Sequence, residues 1–170
     1  VFPPAVHRAA AVVAFLVPGL RFFHEGQLEG RRVHLSMHLA RRPAEAADPA
    51  LQAFYEALLA CLKRPEVRIG RWRLGNCRPA WDGNPTWDAF IAFTWERPGG
   101  ELLLGAVNYG PRAGQCYVEL PLPGLRGRQV VLRDLLGEAR YERDGDELAT
   151  RGLYLDLRAW GYHLFEAAAG

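Results

Sequence analysis

The stretch Leu102–Gly124, "LLLGAVNYGPRAGQCYVELPLPG", decides how this chain is read. Two runs rich in strand-forming residues, Leu102–Tyr109 and Gln115–Leu120, flank a break at Gly110-Pro111. Such an apolar run bounded by glycine and proline fits a strand better than a helix, which needs a longer segment. The same punctuation recurs on both sides. Val67–Leu74, Ala89–Glu96, Gln129–Asp134, Ala139–Arg143, Leu153–Leu157 and Tyr162–Glu166 are further strand candidates, with breaks at Pro98-Gly99-Gly100, Pro123-Gly124, Asp144-Gly145 and Arg151-Gly152. Short strands at this spacing, with no helices between them, predict an antiparallel β-sandwich over residues 66–170.

Upstream, the period changes. Leu51, Phe54, Tyr55, Leu58, Leu59 and Leu62 form a single apolar helical stripe, with Asp48 as N-cap and Pro49 at the first position. An earlier helix spans Ala5–Val17 and stops at Pro18-Gly19, and from Ala9 onward it is apolar nearly all round. Leu20–Phe23 reads as a short strand. The fold class is therefore mainly β, with an α/β remnant of helix, strand and helix over residues 1–65.

Composition narrows the function. The 170 residues carry 49% hydrophobic and 24% charged side chains and a net charge of +2, as in an ordinary globular domain. Basic residues are scattered, so no stripe predicts a nucleic-acid partner. No apolar run has transmembrane length, so no membrane partner is expected. Cys61, Cys77 and Cys116 are odd in number and lack CxxC pairing, which favours reduced thiols in a cytoplasmic protein over a disulfide framework or zinc site. His34 and His38 have the i, i+4 spacing of a shared metal site, but no third ligand stands at a sensible distance, so neither metal nor cofactor is expected.

Taken in order, "VPGLRFFHEGQLEG" (17–30), "LQAFYEALLACLKRP" (51–65), "VVLRDLLGEARYERDGDEL" (130–148) and "GLYLDLRAWGYHLFE" (152–166) resemble the end of the catalytic (β/α)8 barrel and the C-terminal sandwich domain of the alpha-amylase superfamily of glycoside hydrolases. "DLLG" at 134–137 and "HLFE" at 163–166 are particularly similar. The resemblance implies a C-terminal fragment of an α-glucan-acting enzyme, with residues 1–65 the last helix–strand–helix of a truncated barrel. It also implies that the catalytic acids of that retaining chemistry lie on strands this chain lacks, so no residue here is assigned as catalytic.

His24, Glu25 and Gln27 follow the strand candidate and would stand on the barrel's substrate rim. Trp81, Asp82 and Trp87 offer indole faces and hydrogen-bonding groups for a sugar, or equally a junction core with turns at Asp82-Gly83 and Asn84-Pro85. The alternative function is accordingly a carbohydrate-binding module. The apolar surface of the first helix, left without a barrel, must fold back or pair with a second copy, and self-association as a homodimer through this helix is expected.

Overall fold

The computed structural model describes residues 2–33, 41, 43–98, 102–120 and 125–169. Three layers stack: a helical layer, a six-stranded antiparallel sheet, and a three-stranded antiparallel sheet. Helices α1 (Pro4–Leu16), α2 (Pro49–Leu62) and α3 (Pro65–Ile69) make the first layer. The large sheet has the order β1-β3-β4-β9-β6-β7, from Arg71–Leu74 (β1), Phe90–Glu96 (β3), Leu102–Asn108 (β4), Gln129–Asp134 (β6), Arg140–Asp144 (β7) and Tyr162–Ala169 (β9). The small sheet is β2-β5-β8, from Cys77–Pro79, Gly114–Val118 and Leu153–Leu157.

Strand β4 shows why the layers are needed. All seven of its residues are buried. Leu102, Leu104 and Ala106 face the small sheet, where they join Phe90, Val130, Leu155 and Phe165. Leu103 and Val107 face the helices, with Phe93, Trp95 and Leu164. A strand alternates its side chains between faces, so a strand buried at every position must be covered on both. The helices meet that demand. Phe15, Leu16, Phe54 and Leu58 bury against this second face, and the Trp95 indole N–H donates to the Leu16 carbonyl at 2.7 Å.

Gly105 sits directly opposite Phe93. A Cβ there would fall 2.2 Å from Cζ of the Phe93 ring, so the missing side chain is the space the ring occupies. Glu166, on the helix-facing side of β9, binds Arg64 at the α2–α3 junction and Arg133 on β6. Glu66 adds an ion pair with Arg64 at 3.3 Å. The helical layer is thus tied to the sheet by charge as well as by apolar contact.

Several sequence expectations change. Leu20–Phe23 is extended but forms no strand, because nothing among the described residues pairs with it. Val67–Ile69 belongs to α3 rather than to β1: Pro65 starts a helical turn that the alternating apolar pattern conceals. β2 was not anticipated, and α4 (Gly145–Arg151) replaces an expected turn, with Asp144 capping it through the Asp146 and Glu147 amides. The helix expected at Ala5–Val17 occupies Pro4–Leu16 and is folded back, with Ala9, Ala11, Val12, Phe15 and Leu16 buried.

Two substitutions test this packing. Gly105→Ala drives a methyl into the Phe93 ring and is expected to cost about 1–3 kcal/mol, read as a lower melting temperature. Asp134 Oδ1 accepts from the Leu136 and Leu164 amides, each at 3.1 Å, and Oδ2 meets His163 Nδ1 at 2.6 Å. Asp134→Ala leaves those donors without their acceptor and is expected to destabilise by about 2 kcal/mol or more.

Candidate functional site

The described cavities that adjoin one another lie at the edge of the helical layer, where α1, α2 and the loop after Phe23 converge. Asp48 fixes the start of α2, its Oδ1 accepting from Ala50 at 3.0 Å and Leu51 at 3.1 Å. The loop from His24 to Gly30 closes on itself. Gln27 N donates to His24 O and Gly30 N to Gln27 O, both at 3.2 Å, while Arg31 N donates to Gly26 O at 2.9 Å. Gly26 at φ 82° and Gly30 at φ 70° supply the left-handed backbone this requires.

This folding carries Gln27 inward to Tyr55. Gln27 Nε2 donates to the Tyr55 hydroxyl at 2.9 Å, and His7 Nε2 lies 2.8 Å from the same oxygen. A phenol has one proton to give. Gln27 donates to the oxygen, which leaves the hydroxyl proton able to point to His7 Nε2 when His7 is the neutral imidazole protonated at Nδ1. The electrostatics agree. Burial, then the Arg8 charge and His24, push the His7 pKa down, and burial raises that of Tyr55. Phe15 and Phe23 stack at 4.1 Å beside this relay, and Phe54 meets Tyr55 edge-on at 5.3 Å.

The two cavities share Phe2, His7, His24 and Gln27, with volumes of about 290 and 300 Å³. One half is walled by Ala10, Ala14 and Phe15, the other by Arg8, Arg31 and Arg32. Neutral donors and acceptors beside an aromatic wall hold a hydroxylated, partly apolar molecule in place. Two neighbouring carboxylates of the kind glycoside hydrolysis uses are not among the residues lining either cavity.

Of the residues singled out in the sequence, His24 and Gln27 line both cavities, while Glu25 is exposed on the loop. Trp81, Asp82 and Trp87 lie elsewhere, between β2 and β3. Trp87 packs against the inter-sheet core, on the far side of the large sheet from His24. Trp81 is 54% exposed, which the junction-core alternative did not foresee. Asn84 is buried, with Oδ1 accepting from Thr86 N at 2.7 Å, and shapes the turn. His34 and His38 fall outside the described residues. His7 and Tyr55 were visible only as members of two helices. Their meeting depends on how α1 and α2 pack, 48 residues apart, and no local motif encodes it.

No family model matches the chain, and no curated protein matches it in sequence. Solved structures do match. A noncanonic maltogenic alpha-amylase from Thermotoga neapolitana aligns at a TM-score of 0.71 and 11% identity, over 97% of this chain and 37% of its own. A debranching enzyme from Nostoc punctiforme, solved after an acarbose soak, aligns at 0.60 and 17% identity, over 95% of this chain and 29% of its own. The fold is therefore shared with these two enzymes, and the chain spans about a third of their length.

The state of His7 makes the relay testable by pH. Its folded pKa lies below the ordinary 6.5, so the unfolded chain takes up the proton first as pH falls. Stability should drop as pH is lowered through 6.5 and level off below the folded value. Denaturant titrations between pH 7.5 and 5 should show this drop, and His7→Gln should flatten it.

Proposed function

We propose that this chain is the C-terminal part of an enzyme acting on α-glucans. In this reading the β-sandwich is a structural domain, and the helical layer is the last part of a (β/α)8 barrel. One observation carries it. Leu20–Phe23 is extended, with Leu20 94% and Phe22 72% exposed, while Phe23 stacks inward on Phe15. No backbone hydrogen bond joins this segment to another described residue. It has the side-chain alternation of a strand and none of its pairing. An unpaired strand edge with large apolar side chains is a liability that proteins normally cover.

The share of length matched, 37% and 29% of the two solved enzymes, supports the same reading. The catalytic carboxylates then belong to the remainder of the enzyme, and His24 and Gln27 contribute to the rim of its sugar site. The similar structures are those of a maltogenic alpha-amylase and a debranching enzyme, and they point to an α-glucan as the substrate class. The apolar face of α1 is covered within the chain, so a homodimer would use other exposed apolar side chains, among them Phe2, Leu20 and Phe22.

A second reading rests on Trp81. Its exposed indole beside Asp82 is a surface on which a free-standing sugar-binding module stacks a pyranose ring. Saturable quenching of tryptophan fluorescence by maltoheptaose, abolished by Trp81→Ala, would favour that module.

Hydrogen exchange tests the first reading. Amides of Leu20–Phe23 should exchange freely in this chain and become protected when the gene's upstream coding sequence is included. Starch hydrolysis should accompany only the longer protein. Turnover of starch by this chain alone, or free exchange of Leu20–Phe23 in the longer protein, would overturn the proposal.

A further inference from the structure

The basic half of the twin cavity is not needed to bind a neutral glucan. Arg8 comes from α1, and Arg31 and Arg32 follow the His24–Gly30 loop, yet all three line one cavity of about 290 Å³. None of the three forms a salt bridge with another described residue. The Arg8 guanidinium is fixed at the wall by the Tyr162 hydroxyl and by the Phe54 ring, 5.8 Å from its centroid. Asp48 is the acid on the same wall, and its Oδ1 is engaged by the Ala50 and Leu51 amides. Three guanidinium groups line one cavity with a single carboxylate among its lining residues, so that wall is net cationic, and an anionic ligand relieves the repulsion among them.

We infer that this cavity binds a phosphorylated sugar, with the phosphate among Arg8, Arg31 and Arg32 and the sugar ring against His7, Gln27 and Phe2. Phosphate is favoured over carboxylate by the layout. A phosphate ester offers three free oxygens in a tetrahedral array, which guanidinium groups approaching from separate segments can each address. A planar carboxylate is best served by one bidentate arginine. The neighbouring half of the cleft supplies what a sugar needs next to that charge. Gln27 and the neutral His7 are positioned by Tyr55, and Phe2 and Phe15 present apolar surface. The inference rests on the α-glucan reading for the sugar and on the arginines for the charge, and the two parts fail separately.

Calorimetric titration of the full chain with glucose 1-phosphate, glucose, glucuronate and maltotriose decides it. Glucose 1-phosphate should bind saturably and at least about tenfold more tightly than glucose or glucuronate, the effect of one charge-assisted hydrogen bond. Arg31→Gln should remove most of that advantage while leaving the melting temperature within a degree or so. Arg32→Gln, at an exposed position, provides a second variant with little risk to folding, and it should also weaken binding. Equal affinity for glucose and its phosphate, tighter binding of glucuronate, or an advantage that survives both substitutions would overturn the inference. Maltotriose bound at this cleft with no advantage for the phosphate would defeat the inference and leave the α-glucan reading standing.

Discussion

Everything in this molecule follows from a sheet that cannot face water on either side. β4 is buried along its whole length, and its neighbours β3 and β9 carry Phe93, Trp95 and Leu164 toward one face and Phe90, Ala92 and Phe165 toward the other. Each large apolar side chain exposed there would forfeit about 1.5–3 kcal/mol. The three-stranded sheet covers one face and the helices the other. The helical layer is for that reason an integral part of the fold, although its sequence has a different period from everything that follows. The bond from the Trp95 indole to the end of α1 marks where the layers are joined without leaving a polar group stranded.

The polar relay at the cavity depends on that covering. α1 and α2 are held apart and oriented by the sheet beneath them, and only then do His7 and Tyr55 come within 2.8 Å. Tyr55 is almost wholly buried, its ring in the helix-facing core and its hydroxyl at the cavity wall. One residue thus serves as both core and site. The protonation state of His7 is set by the same burial, so the chemistry offered to a ligand is a by-product of how the helices pack on the strands.

The sequence made the elements legible where a period was long or a cap was unambiguous. The α2 stripe and Asp48 located that helix, and the alternation in Gln129–Asp134 and Leu153–Leu157 located two strands at their observed bounds. Three short elements, α3, β2 and α4, were hidden. α3 has the apolar spacing of the strand that follows it, β2 contains Pro79 and survives because it lies at a sheet edge. α4 begins with an Asp-Gly pair that also signals a turn. In the site, His24 and Gln27 stood out as polar residues between glycines. His7, Tyr55 and the arginines did not, because what assembles them is tertiary. Asn108 was equally silent. Fully buried, it donates to the carbonyls of Arg112, Leu157 and Arg158, and so pins two connections at one end of the sandwich.

The place of β9 has a consequence for how the chain reaches this state. It is the last strand in sequence, yet it lies between β4 and β6 in the middle of the large sheet. Until residues 162–169 are available, β1-β3-β4 and β6-β7 are two separate pieces with unpaired edges, and Glu166 is not there to hold Arg64, 102 residues away. Contacts of such sequence separation close slowly, because the entropy of a long loop is lost before the contact is gained. Pairing of residues 162–169 with both pieces is therefore what closes the large sheet.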